Sequence, residues 1–94
     1  MFIEQPGVQL VDVRTPAEYS GGHIPGARLM DVYSPHFASD AASLLVAAPV
    51  AVYCAAGVRS AAAAQYLRTA GYEVEELSAG FAAWRGDVKM GMEP

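Results

Sequence analysis

Cysteine is nearly absent from this chain: Cys54 is the only one in 94 residues. One thiol cannot close an internal disulfide, and with only two well-separated histidines, His23 and His36, the four ligands of a structural zinc site are not available. Basic residues are also scarce, six Lys and Arg against ten Asp and Glu for a formal net charge of −4. That balance argues against a nucleic-acid surface and supplies no long-range steering of anions, so any anion has to be held by local geometry. Uninterrupted apolar runs of membrane-spanning length are missing, and the opening MFIEQPGVQLVDVR has neither the basic start nor the apolar run of a secretory signal. A cytoplasmic protein that does not enter membranes is the expectation.

What is present describes a folded domain. A hydrophobic content of 53% with 17% charged residues supports one core, and the length fits a single domain over residues 1–94, with a tail from about residue 87. Val8–Val13 and Val50–Tyr53 are β-branched runs bounded by Gly, Pro and polar turns, which predicts buried strands, with Ala27–Met30 and Glu73–Leu77 as weaker ones. Phe2-Ile3 could add a minor edge strand. Thr15-Pro16-Ala17-Glu18 reads as a capping box opening a short helix that stops at Gly21-Gly22. Helical spacing predicts further helices over Ser39–Ala48 and Ser60–Ala70, the latter closed by a left-handed Gly71, and a short one over Phe81–Arg85 with Phe81 and Trp84 turned inward. Strands alternating with helices imply an α/β fold with a small parallel sheet of four to five strands flanked by helices on both faces. Right-handed crossovers then put Asp12 and Cys54 on one rim, at the C-terminal ends of their strands.

Cys54 is followed by Ala55, Ala56 and Gly57, then Val58, Arg59 and Ser60 at a helix start. A loop of small residues running into a helix N-terminus can turn its amides inward and favour negative charge at its centre. A thiol there is acidified and becomes a nucleophile near neutral pH. A buried structural cysteine is the competing interpretation of the same residue.

Two longer patterns decide between them. Asp12 to Ala27 reads D-V-R-x-x-x-E-Y-x-x-G-H-I-P-G-A, and the second half carries Y-C-x-x-G-x-R-S, A-x-x-L-x-x-x-G-Y and S-A-G-F-x-x-W. With these motifs in this order over residues 8 to 86, the sequence resembles the rhodanese-like sulfurtransferase domain. The resemblance implies that Cys54 takes the sulfane sulfur of thiosulfate or another persulfide-type donor and passes it as a persulfide to cyanide, a thiol or a sulfur-acceptor protein. No metal or organic cofactor is implied. Residues 55 to 60 would hold the anion, with Asp12 and Arg14 in support. A sulfur-sensing or noncatalytic binding module is the alternative, and either a monomer or a homodimer fits. Phosphatases with a related cradle place one more residue between cysteine and arginine than the four found here.

Among the other residues, Arg59 is expected to brace the loop by binding loop carbonyls and a carboxylate, Ser60 to cap the helix, and Glu18 to serve only its capping box. Asp12 is expected to hold the active-site loop and His23 to be structural, while three partners are open to Arg14, namely Asp12, Glu18 or a bound anion, and such a pair contributes little where it is exposed. Ala55, Ala56 and Val58 leave Arg59 as the sole nearby loop charge, which disfavours thiosulfate, a dianion, as the physiological donor.

Overall fold

Strand formation follows burial. The computed structural model describes residues 6–94, in which β1 (Gln9–Asp12), β2 (Arg28–Leu29), β3 (Val50–Tyr53) and β4 (Val74–Glu76) pair in parallel in the order β2-β1-β3-β4. The Phe2-Ile3 edge lies outside the described residues. In β3 every residue is buried, which is why VAVY shows no polar alternation: both faces of the central strand are covered.

On one face Val11, Val13, Val50 and Val52 meet Phe37 and Ala41 of α2 (Phe37–Ala41) and Ala63, Ala64 and Leu67 of α3 (Val58–Thr69). On the other, Tyr53 packs with Ile24 and Ala27, edged by Leu10, Leu77, Phe81 and Trp84. Cys54 continues the register of Val50 and Val52, so its side chain joins the α3 face.

The capping box forms as its sequence dictates. Glu18 N–H donates to Thr15 Oγ1 at 3.3 Å, Thr15 N–H donates to Glu18 Oε1 at 3.1 Å, and α1 spans Pro16–Ser20. Two helices depart from expectation. α2 begins earlier than Ser39 and ends at Ala41, because Gln9 reaches across from β1 to engage both the N–H (2.8 Å) and the carbonyl (2.9 Å) of Leu45. That draws the chain out of helical register and leaves Leu45 exposed. α3 starts two residues before Ser60, since Gly57 adopts φ 98° and serves as the N-cap through its backbone. The C-terminal end is as expected, with Gly71 at φ 101°. Phe81–Ala83 forms one 3-10 turn, shorter than the predicted helix.

The segment beyond residue 87 is docked. Lys89 and His23 exchange backbone hydrogen bonds at 2.9 Å in each direction, and Gly91 N–H donates to the Ser20 carbonyl at 2.9 Å. His23 is fully buried, stacked on Tyr19 at 3.7 Å, with its ring nitrogens 2.9 Å from the Tyr19 carbonyl and 2.8 Å from that of Glu93. Its surroundings are a fold junction between a turn and the C-terminal segment. No helix of the described residues is long and apolar enough to cross a membrane.

Candidate active site

The end of β3 delivers Cys54 to the rim, and the next residues curl over its sulfur before α3 begins. The Gly57 amide donates to Sγ at 3.0 Å, and Sγ lies 3.4 Å from the Ser60 hydroxyl. Gly57 enters the helix with a left-handed φ of 98°, and a Cβ there would sit 2.4 Å from the Ser78 carbonyl oxygen, so the position takes no side chain without moving the loop.

From outside, the loop is clamped by the segment after β4. Phe81 N–H takes the Cys54 carbonyl at 2.8 Å, and Ala82 N–H takes that of Ala55 at 3.0 Å. Gly80 fits against this clamp only without a side chain, because an added Cβ would lie 2.4 Å from the Ala55 oxygen. Ala79, which precedes it, has no positive φ, so an alanine is tolerated there.

Burial of Cys54 is the largest influence on its thiol and pushes the pKa up. It is outweighed by the hydrogen bonds open to the thiolate, from the Ser60 hydroxyl once its proton turns to the sulfur and from the amides of Ser60, Gly57 and Ala56, so the thiol sits below its ordinary value. The thiol therefore ionises more readily than an ordinary cysteine, and the dipole of the twelve-residue helix that starts beside it acts in the same sense.

Of the two kinds of partner expected for Arg59, the carboxylate is found and the loop carbonyls are not. Its fork binds the Glu18 carboxylate at 2.6 and 3.0 Å, and among the described residues no hydrogen bond from it to a loop carbonyl is found. Glu18 thus serves the capping box and ties α1 to α3. The Arg59 hydrogen bonds are the main reason its pKa falls from 4.5 to about 2. A carboxylate depressed on folding contributes stability above its unfolded value and loses it as pH falls through the folded one. The melting-temperature advantage of the native protein over Glu18→Gln is accordingly expected to be full above about pH 5 and to shrink between about 4.5 and 2. An advantage constant over that range would contradict the ion pair.

Ser60 does not cap α3. It is buried within the first turn, and its hydroxyl donates to Glu76 Oε2 at 2.8 Å. Asp12 departs from expectation, and of the partners open to Arg14 it is Asp12 that is taken. Both are buried: Arg14 binds Asp12 through its backbone N–H at 2.9 Å and through Nε and Nη2, and Nη2 also donates to the Gly22 carbonyl at 2.7 Å. Among the described residues the Asp12 carboxylate makes its hydrogen bonds with Arg14 and none with residues 55 to 59. Asp12 is the register partner of Tyr53, the residue before Cys54. Glu76 escaped the sequence reading, although an acid closing β4 beside β3 on the same rim was its visible signal.

Comparison with known proteins agrees with this fold. A family model described as rhodanese-like domain matches residues 2–87. An uncharacterized protein, YqhL, of Bacillus subtilis is 42% identical over 82 residues, covering 86% of this chain and 64% of that protein. Thiosulfate sulfurtransferase GlpE of Pseudomonas paraeruginosa is 39% identical over 84 residues, 88% of this chain and 74% of that one. Among solved structures, a rhodanese-like domain protein from Staphylococcus aureus superposes with a TM-score of 0.82 at 31% identity, covering 95% of this chain and 86% of that one. A rhodanese-like domain of Anabaena sp. Alr3790 gives 0.81 at 32% identity, covering 93% and 96%.

Proposed function

Since the chain belongs to the rhodanese-like domain family, we propose that it is a sulfurtransferase whose reacting atom is the Cys54 sulfur. The thiolate attacks the outer sulfur of thiosulfate or of another persulfide-type donor, the S–S bond breaks, sulfite or the donor's thiolate leaves, and a Cys54 persulfide is left behind. An acceptor, cyanide or a thiol, then attacks the outer sulfur and restores the thiolate. The observation that carries the reading is the Gly57 amide aimed at a buried sulfur 3.0 Å away, at a helix start that favours its anion. Names of relatives such as GlpE support the thiosulfate donor.

Residues 55 to 60 supply the cradle, chiefly through their backbone. Their side chains bear on the choice of donor: Ala55, Ala56 and Val58 are uncharged, and Arg59 is engaged by Glu18. A dianion therefore gains little from them, and a low-molecular-weight or protein persulfide suits the loop better. Asp12 and Arg14 act in this scheme as supports behind the rim.

The test is the intact mass of reduced protein after brief exposure to thiosulfate or glutathione persulfide, with Cys54→Ser in parallel. One added sulfur atom, absent from the variant and removed by cyanide, is the expected result. No gain with either donor would overturn the proposal. A clear preference for thiosulfate would overturn only the donor assignment.

A further inference from the structure

Glu76 has no part in the scheme above, yet it is wired to its centre. It is the register partner of Val52, two residues before Cys54 in β3, which puts its side chain on the face from which the sulfur projects. There the Ser60 hydroxyl joins the two: Oγ lies 2.8 Å from Glu76 Oε2 and 3.4 Å from Cys54 Sγ. A hydroxyl has one proton to give. While Ser60 donates it to Glu76, the oxygen can accept from the thiol S–H but offers nothing to a thiolate.

We propose that Glu76 is a positioning residue for Cys54: its carboxylate claims the single Ser60 proton and so decides whether that hydroxyl accepts from the thiol or donates to the thiolate. The proposal deepens the reading of Cys54 as the reacting sulfur and rests on it for its functional meaning. Ionisation of the thiol requires the Ser60 proton to turn from the carboxylate to the sulfur. The backbone amide of Gly57 faces no such competition. Glu76 thereby keeps the sulfur more basic than the amide cradle and a free serine would leave it. A more basic thiolate is less populated but intrinsically more nucleophilic, because reactivity falls with falling pKa.

Other ionisable groups around the sulfur are accounted for. Arg59 of α3 acts on it electrostatically but is neutralised by Glu18 of α1, with Tyr33 beside it. At the end of β1, Asp12 and Arg14 are closed on each other. Glu76 of β4 is the acid connected to the sulfur through a hydroxyl.

The experiment is the pH dependence of iodoacetamide alkylation of Cys54 in the full chain, comparing the native protein with Glu76→Met, each with Ser60 present or replaced by alanine. With Ser60 present, Glu76→Met is expected to move the midpoint of the profile down by about one pH unit, the effect of a hydrogen bond gained by a charged group. The rate well below the midpoint should rise roughly fourfold while the high-pH plateau falls two- to threefold. In the Ser60→Ala background the same substitution should move the midpoint by less than half as much. An unmoved midpoint, or equal movement in both backgrounds, overturns the proposal, the second result because it makes Glu76 a bare charge. If Glu76→Met does not fold, Glu76→Gln keeps the shape and is read in the same two backgrounds, with a smaller shift of the same sign expected. Alkylation reads the thiol directly, so an inability of Cys54 to accept sulfur leaves this result intact and is told apart from a failure of the proposal.

Discussion

Replacing Asp12 with alanine is expected to lower the free energy of unfolding by roughly 3–5 kcal/mol, the cost of leaving a buried charge without its partner. The Arg14 side chain is 5% exposed and that of Asp12 is 0% exposed, so water cannot take over the lost contacts. After truncation the guanidinium would face the Gly22 carbonyl and the ring of Phe81, 4.5 Å from its centroid. A cation–π contact worth about 0.5–2 kcal/mol does not replace a forked carboxylate. A domain of this size has about 5–15 kcal/mol of stability, so the variant should lie near its folding limit. Removing both charges with Asp12→Ala and Arg14→Met should cost less than Asp12→Ala alone, since no ion is then stranded. Urea unfolding at neutral pH measures both. A loss below about 1 kcal/mol for the single variant would mean that water reaches the pair, which its burial contradicts.

Gly57→Ala is expected to slow persulfide formation by about a hundredfold, comparable to losing one oxyanion-type donor. Two effects add at this position. Left-handed backbone costs a residue with a Cβ roughly 1–2 kcal/mol, and that Cβ would meet the Ser78 oxygen at 2.4 Å, which forces the loop to move. Movement withdraws the amide from Sγ and shifts the start of α3. Gly71→Ala is the matched control: φ is 101°, but nothing lies within 4 Å of the added Cβ. It should lose stability from the backbone alone and keep its rate. Single-turnover kinetics with glutathione persulfide separate the two, and equal rates in both variants would detach the Gly57 amide from the chemistry.

The two central strands were legible because their apolar runs are unbroken, and β3 spans the predicted Val50–Tyr53. The capping box was legible because its hydrogen bonds lie within four residues. Departures arose wherever a distant residue outcompeted local preference. Gln9 cuts α2 short from across the sheet, and Ser60 is drawn from capping by Glu76 and Cys54. Charge pairs were least legible. Glu18 and Arg59 lie 41 positions apart and meet only after folding, while the burial of Asp12 and Arg14 depends on what the whole chain stacks over them. The position of Cys54 on the rim followed from strand direction and the inward turn of the loop amides from its small residues, but which amide meets the sulfur depends on the folded loop, where it is that of Gly57.

The clamp of Phe81 and Ala82 on the carbonyls of Cys54 and Ala55 separates the form of the loop from its lettering. Main-chain groups draw the curve, and at positions 55, 56 and 58 the letters written along it are free of that duty. Ala56 and Val58 stand in solvent, the latter 82% exposed. Charge or bulk can be written there without redrawing the cradle, so appetite for a dianion, a small persulfide or a protein donor can be exchanged while the sulfur keeps its surroundings. Chemistry and clientele are thus inherited through different atoms of the same six residues.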